Sequence, residues 1–174
     1  SVHNNAAQVL WPYGIDETTV APNDAQLARL GRRLAWFDGY EPVQINGLYP
    51  ASGSTADNSY GELGVASYAI ELGGSGFSPS CASFEASISP DNLGTLMYAA
   101  RVVRAPYLLP AGPDVRDAIA SPPLAFPGDV VRVAAVADDT RYNQSNGVEP
   151  TQAIAAVRAF VDALPWLSAS PSQP

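Results

Sequence analysis

NGLYPASGSTADNSYGELGVASYAIELG, residues Asn46–Gly73, is the stretch whose reading decides the fold. Its first part is loop chemistry: from Pro50 to Tyr60 it is dense in Pro, Ser, Gly, Thr, Asp and Asn, with Tyr49 at its head. Its last part, Val65–Leu72, is an apolar run of strand length with no polar face except at Glu71. A strand apolar on both faces is expected to be buried. The carboxylate within it must be explained, because an ionised group is rarely buried without a partner. A strand carboxylate aimed into a cleft is a common general base. A structural ion pair with an arginine such as Arg33 is the competing reading.

Working outward, Gln8–Trp11 (QVLW) runs into Pro12-Tyr13-Gly14, so residues 1–11 are read as a strand followed by a turn. Ala21–Tyr40 is read as a helix. Leu27, Leu30, Leu34 and Phe37 recur at three- and four-residue steps, Asn23 or Asp24 is the candidate N-cap, and Gly39 the stop. Ser89-Pro90-Asp91 predicts a second helix start, with Leu93, Leu96, Met97, Ala100 and Val103 as its apolar stripe. Residues 108–128 are Pro-rich and read as a linker. Asp129–Ala137 reads as a strand, Asp138–Val148 carries turn signals, and Gln152–Leu164 is open between helix and strand. Two acids at Asp138-Asp139 are far short of a calcium site and predict a solvated turn.

The chain has 174 residues, 47% hydrophobic and 15% charged, which is a folded composition. Its net charge is −8, its cations are all arginine, and no basic cluster stands out. That argues against nucleic acid or an anionic membrane as partner. No apolar run approaches the roughly 20 residues of a membrane span. Cys81 is the single cysteine, so no internal disulfide is available.

Four segments arrive in a telling order: SVH at Ser1–His3 with a strand and the WPYG turn at Trp11–Gly14, then LYPASGSTADNSYG at Leu48–Gly61, SYAIELG at Ser67–Gly73, and PDNLGTLMYAARVV at Pro90–Val103. In that order the first 107 residues resemble the C-terminal half of the catalytic domain of the zinc metallocarboxypeptidases, the carboxypeptidase A-like peptidases. DVVRVAAVADDTRYN, Asp129–Asn143, resembles a strand and turn of the β-sandwich extension appended to some secreted bacterial members. The resemblance implies an α/β fold with a mixed sheet and helices on both faces. It divides the chain into residues 1–107 as part of the catalytic domain, 108–128 as linker and 129–174 as a partial β-rich extension.

The resemblance also implies roles. His3 matches a zinc ligand, Glu71 the general base and acid, and Tyr49 the loop tyrosine that closes over the substrate. Ala56 matches a position lining the specificity pocket, where a neutral side chain implies apolar or broad preference. Asn4 stands, with Asn5, where many members have Ser-Tyr, and is the remaining substrate-contact candidate. The family takes its other two zinc ligands from an upstream His-x-x-Glu, and this chain has one His in all. The expectation is therefore a zinc-dependent carboxypeptidase acting on peptide C-termini outside the cell. The 174 residues would depend on the upstream half of their own catalytic domain and be inactive alone. The alternative is a non-catalytic carboxypeptidase-like module that binds peptides or plays a structural part.

Overall fold

A computed structural model describes residues 1–73, 76–142 and 147–160. The chain divides into two compact units, Ser1–Ala111 with Tyr142–Glu149, and Gly112–Arg141 with the chain from Pro150.

The first unit is α/β. Four short strands, β1 (Val2–Asn4), β2 (Gln8–Trp11), β3 (Glu41–Gln44) and β4 (Ala69–Leu72), form one mixed sheet in the order β1-β4-β2-β3. β1 runs parallel to β4, β4 antiparallel to β2, and β2 parallel to β3. Alternation along the strands sends Val9 and Ile70 to one face. There they pack with Leu30, Leu34 and Ala35 of α1 (Asp24–Asp38) and with Tyr98 and Val102 of α4 (Ser89–Val102). Full burial of a side chain such as Leu27 contributes about 1.5–3 kcal/mol relative to exposure. Leu10 points to the opposite face and packs with Ile45 and with Ala56 of α2 (Thr55–Leu63).

The α1 stripe is the one the spacing predicts, and Gly39 ends the helix at φ 70°, its amide donating to the Ala35 carbonyl. Asn23 holds the N-cap position but makes no side-chain cap. Its Oδ1 accepts instead from the Tyr60 hydroxyl.

The stretch expected as loop contains α2. Ser54 Oγ accepts from the Asp57 amide at 3.0 Å and caps the helix, and Gly64 at φ 65° closes it. Val65 N–H then bonds back to the Ser59 carbonyl, completing the C-terminal motif, so the strand begins only at Ala69 and not at Val65.

The helix expected to start at Ser89 starts earlier. Ser80 caps α3 (Cys81–Ser83), a π turn follows over Phe84–Ile88, and α4 continues from it. Pro90 therefore sits inside a continuous helical path. A proline ring crowds the carbonyl four residues back, and a widened turn is where helices absorb that crowding. Cys81 is exposed at this start, with a free thiol.

The second unit contains an antiparallel pair, β5 (Asp114–Ser121) and β6 (Arg132–Asp138), with an irregularity between Arg116 and Ile119. β5 lies inside the Pro-rich stretch expected as a linker. Prolines punctuate both of its ends without interrupting the strand, which is why composition hides it. Cross-strand charges register the pair: Arg141 with Asp114 at 3.2 Å and Arg116 with Asp138 at 3.5 Å. Asp138 accepts from the Thr140 amide and hydroxyl, both at 2.8 Å, which holds its carboxyl below the ordinary range. Described residues 151–160 form neither the helix nor the strand left open for Gln152–Leu164, and 161–164 lie outside the described residues. Tyr142 and Glu149, within the segment assigned to the extension, pack in the first unit.

Candidate functional site

His3 and Glu71 come together because β1 and β4 are neighbours: they are register partners in adjacent parallel strands. Partners in register project to the same side of a sheet. That side is the one opposite the helix-packed core, and both residues line a cleft of about 290 Å³. Leu10, Ala69, Ile45, Leu48 and Ala56 give the cleft an apolar floor and wall. Tyr49 lines it too, with a ring 63% exposed, whereas Ala56 is 1% exposed at the start of α2.

Four of the five residues singled out by sequence thus share one cleft. Asn4 does not. It is the next residue after His3 on β1, so it points to the other side, and its side-chain amide donates to the Phe77 carbonyl at 2.7 Å.

Among the described residues Glu71 does not form the ion pair with an arginine that the competing reading expects. Arg33 is buried away from it, its guanidinium 4.5 Å over the Tyr142 ring and 3.4 Å from the Tyr98 hydroxyl. Among the described residues the Glu71 carboxylate takes part in no ion pair. Its backbone is held firmly all the same. Tyr40, buried below the sheet, accepts at its hydroxyl from the Gly73 amide at 2.6 Å and the Asn92 side chain at 2.8 Å. Gly73 makes that approach easy, since a Cβ there would stand 3.0 Å from the Tyr40 ring and press on it.

Gln8 was not anticipated. It pairs in register with Glu71 from the β2 side, and its Nε2 donates to Glu41 at 2.9 Å. An amide beginning an apolar strand carries no signal in the sequence; only the register brings it beside the carboxylate.

An imidazole next to a free carboxylate suits zinc chemistry. Among the described residues, however, no group of three or more His, Cys, Asp and Glu side chains gathers in a way that could hold an ion. The residues present fit one ligand and a base, not a complete zinc centre.

A zinc carboxypeptidase family model matches residues 1–91 of the 174, just over half of the chain and the whole of this cleft. The chain belongs to the zinc carboxypeptidase family. No curated protein matches it. As a zinc carboxypeptidase chain it carries the general character of that family: a metal-dependent hydrolase of peptides. No helix among its described residues is long and apolar enough to cross a membrane.

Proposed function

We propose that these 174 residues contribute one zinc ligand, His3, the general base, Glu71, and the substrate-covering Tyr49 to a peptidase that releases single residues from peptide C-termini. The observation that carries the reading is the facing of His3 and Glu71 across β1 and β4 at the edge of an apolar cleft, in a chain of the zinc carboxypeptidase family.

Zinc, when bound, lowers the pKa of water toward about 7 and polarises a carbonyl. Glu71 takes a proton from the attacking water and delivers it to the leaving amine. No ion pair among the described residues engages the Glu71 carboxylate, which supports this role. Tyr49, exposed on a loop of small residues, covers a bound peptide end and excludes water. Ala56 itself is neutral and the cleft floor is aliphatic, which supports a preference for neutral or apolar C-terminal residues. Asn4, bonded to Phe77, acts as a support of β1 rather than a first contact of the substrate in this reading.

A catalytic zinc needs three protein ligands, and the chain has one histidine. We assign the other two ligands to an upstream segment of the same catalytic domain, in a protein working outside the cell. The antiparallel β5–β6 pair belongs to an appended β-rich extension. The isolated chain is then a weak zinc binder without peptidase activity.

The test is zinc stoichiometry and C-terminal residue release, measured for the isolated chain and for the protein that includes the upstream segment. The reading expects tight, one-to-one zinc and turnover only in the longer protein. A longer protein that binds peptide without zinc or turnover would instead be a non-catalytic module.

A further inference from the structure

Gly14 of the WPYG turn is gripped on both of its polar groups by the loop that borders the cleft. Its amide donates to both carboxylate oxygens of Asp57, at 3.1 Å each, and its carbonyl accepts from the Ala51 amide at 2.6 Å. The residue must be glycine: a Cβ would lie 2.3 Å from Ile45 Cγ2 and 3.2 Å from the Ala51 carbonyl oxygen. The turn itself is braced from behind. The Gln44 side-chain amide donates to the Tyr13 and Thr19 carbonyls at 2.7 Å, and Asn46 donates to the Asp16 carbonyl at 3.0 Å.

Asp57 occupies the third position of α2, where its amide is capped by Ser54. In a reciprocal capping box the side chain at this position turns back to the cap's own amide. Here the carboxylate reaches across to Gly14 instead. A bond from an amide to an ionised carboxylate is among the stronger hydrogen bonds. The two contacts to Gly14 bracket residues 52–56. Tyr49 stands two residues before Ala51, and Ala56 directly precedes Asp57. Asp57 does not line the cleft, yet residues at both ends of this stretch do.

We propose that Asp57 is a positioning residue: through the Gly14 amide it fixes the loop that carries Tyr49 and the cleft wall that carries Ala56. The proposal rests on the reading of this cleft as a carboxypeptidase substrate site. Loss of the carboxylate frees the Gly14 turn from α2, and the Ala51 contact loosens with it. The cleft then loses its shape for a bulky C-terminal side chain while His3 and Glu71 stay in register on their strands.

The experiment uses the zinc-loaded protein that includes the upstream segment, with Asp57→Ala and Asp57→Asn, read in two independent ways. One is amide hydrogen exchange at Gly14 and Ala51. The other is kcat and KM for N-acylated dipeptides ending in Phe or in Gly. Exchange at both amides is expected to rise about tenfold or more in Asp57→Ala, as for a lost bond to a charged group. Asp57→Asn keeps one oxygen acceptor and rises less. KM for the Phe-ended peptide rises several-fold with a smaller change in kcat, and the Gly-ended peptide, which does not fill the cleft, is little affected. Unchanged exchange at Gly14 and Ala51 overturns the proposal, as does faster exchange with equal effects on the two peptides. If Asp57→Ala unfolds, Asp57→Asn decides by the same two readouts. A wild-type protein that cleaves neither peptide defeats the functional reading and with it the substrate role of Asp57. The exchange rates then still report whether the clasp exists.

Discussion

His3 and Glu71 are direct partners across the parallel β1–β4 pair, so an imidazole and a carboxylate stand on adjacent strands and face one cleft. Neither residue alone marks a site. A lone histidine on a strand and a lone glutamate in an apolar run are both common. Their pairing in register is what the proposed roles, a metal ligand beside a base, rest on.

Tyr49→Phe removes one hydroxyl from an exposed ring and leaves its packing alone. A modest loss is expected, up to about tenfold in kcat/KM, in line with one hydrogen bond of roughly 1 kcal/mol. Steady-state kinetics on a Phe-ended peptide measures it. Unchanged kinetic constants would make Tyr49 a structural loop residue.

Ala56→Asp places a carboxylate on the cleft wall, at a position that is 1% exposed. A buried charge without a partner is unfavourable, so peptides with apolar ends should be cleaved more poorly. A C-terminal Arg or Lys supplies the partner, so preference should shift toward basic ends. Competition between Phe- and Arg-ended peptides reads the shift. An unaltered ratio would remove Ala56 from the specificity wall.

Asp38 predicts a pH effect. Burial is the main cause that raises its carboxyl to about 6, against bonds from the Tyr40 amide and Thr95 hydroxyl that act the other way. Thr95 also bonds to the Leu34 carbonyl at 3.0 Å. When its proton goes there, a protonated Asp38 can donate to the threonine oxygen. The folded chain therefore holds this proton more tightly than the unfolded chain, whose ordinary value is 3.8. Asp38 contributes stability below pH 3.8 that is lost as pH rises through about 6. Asp38→Asn mimics the neutral form. Relative to wild type it should gain about 1 kcal/mol at pH 7, after allowance for solvent screening at a partly exposed group, and gain nothing at pH 3.5. Urea unfolding at the two pH values checks this, and a difference independent of pH would contradict it.

Tyr142→Ala probes the anchoring of the later chain in the first unit. The ring is 3% exposed, packs at 5.4 Å edge-on to Trp36 and at 5.5 Å from Tyr98, and carries the Arg33 guanidinium above it. Seven residues on, Glu149 is clasped by Arg29 at 3.0 Å and by Arg32. Truncating a buried aromatic ring typically costs about 3–5 kcal/mol. Denaturant midpoints should fall accordingly, with the slope unchanged. A change under about 0.5 kcal/mol would mean that the aromatic cluster holds without it.

Much of this was legible in the sequence, for identifiable reasons. The α1 stripe has three- and four-residue spacing and an obligatory glycine stop, both of which are local signals. The cleft residues His3, Tyr49, Ala56 and Glu71 were legible through the order of motifs around them. What escaped notice was set by contacts distant in sequence or by caps. α2 has a turn-former's composition, and only Ser54, Asp57 and Gly64 give it away. β5 hides among prolines and is revealed by its pairing with β6. Asn4 differs from His3 by one position, and strand alternation sends it to the other face. The Asp57 bond to Gly14 joins residues 43 apart and has no local signature.

We propose Glu71 as the base of a zinc carboxypeptidase site to which His3 gives a ligand. The most direct test is Glu71→Gln in the zinc-loaded protein, with bound zinc and C-terminal residue release measured on the same sample. The account predicts full zinc occupancy and turnover lowered by about 10²-fold or more, the scale of a lost general base. Retained turnover with zinc bound would contradict it.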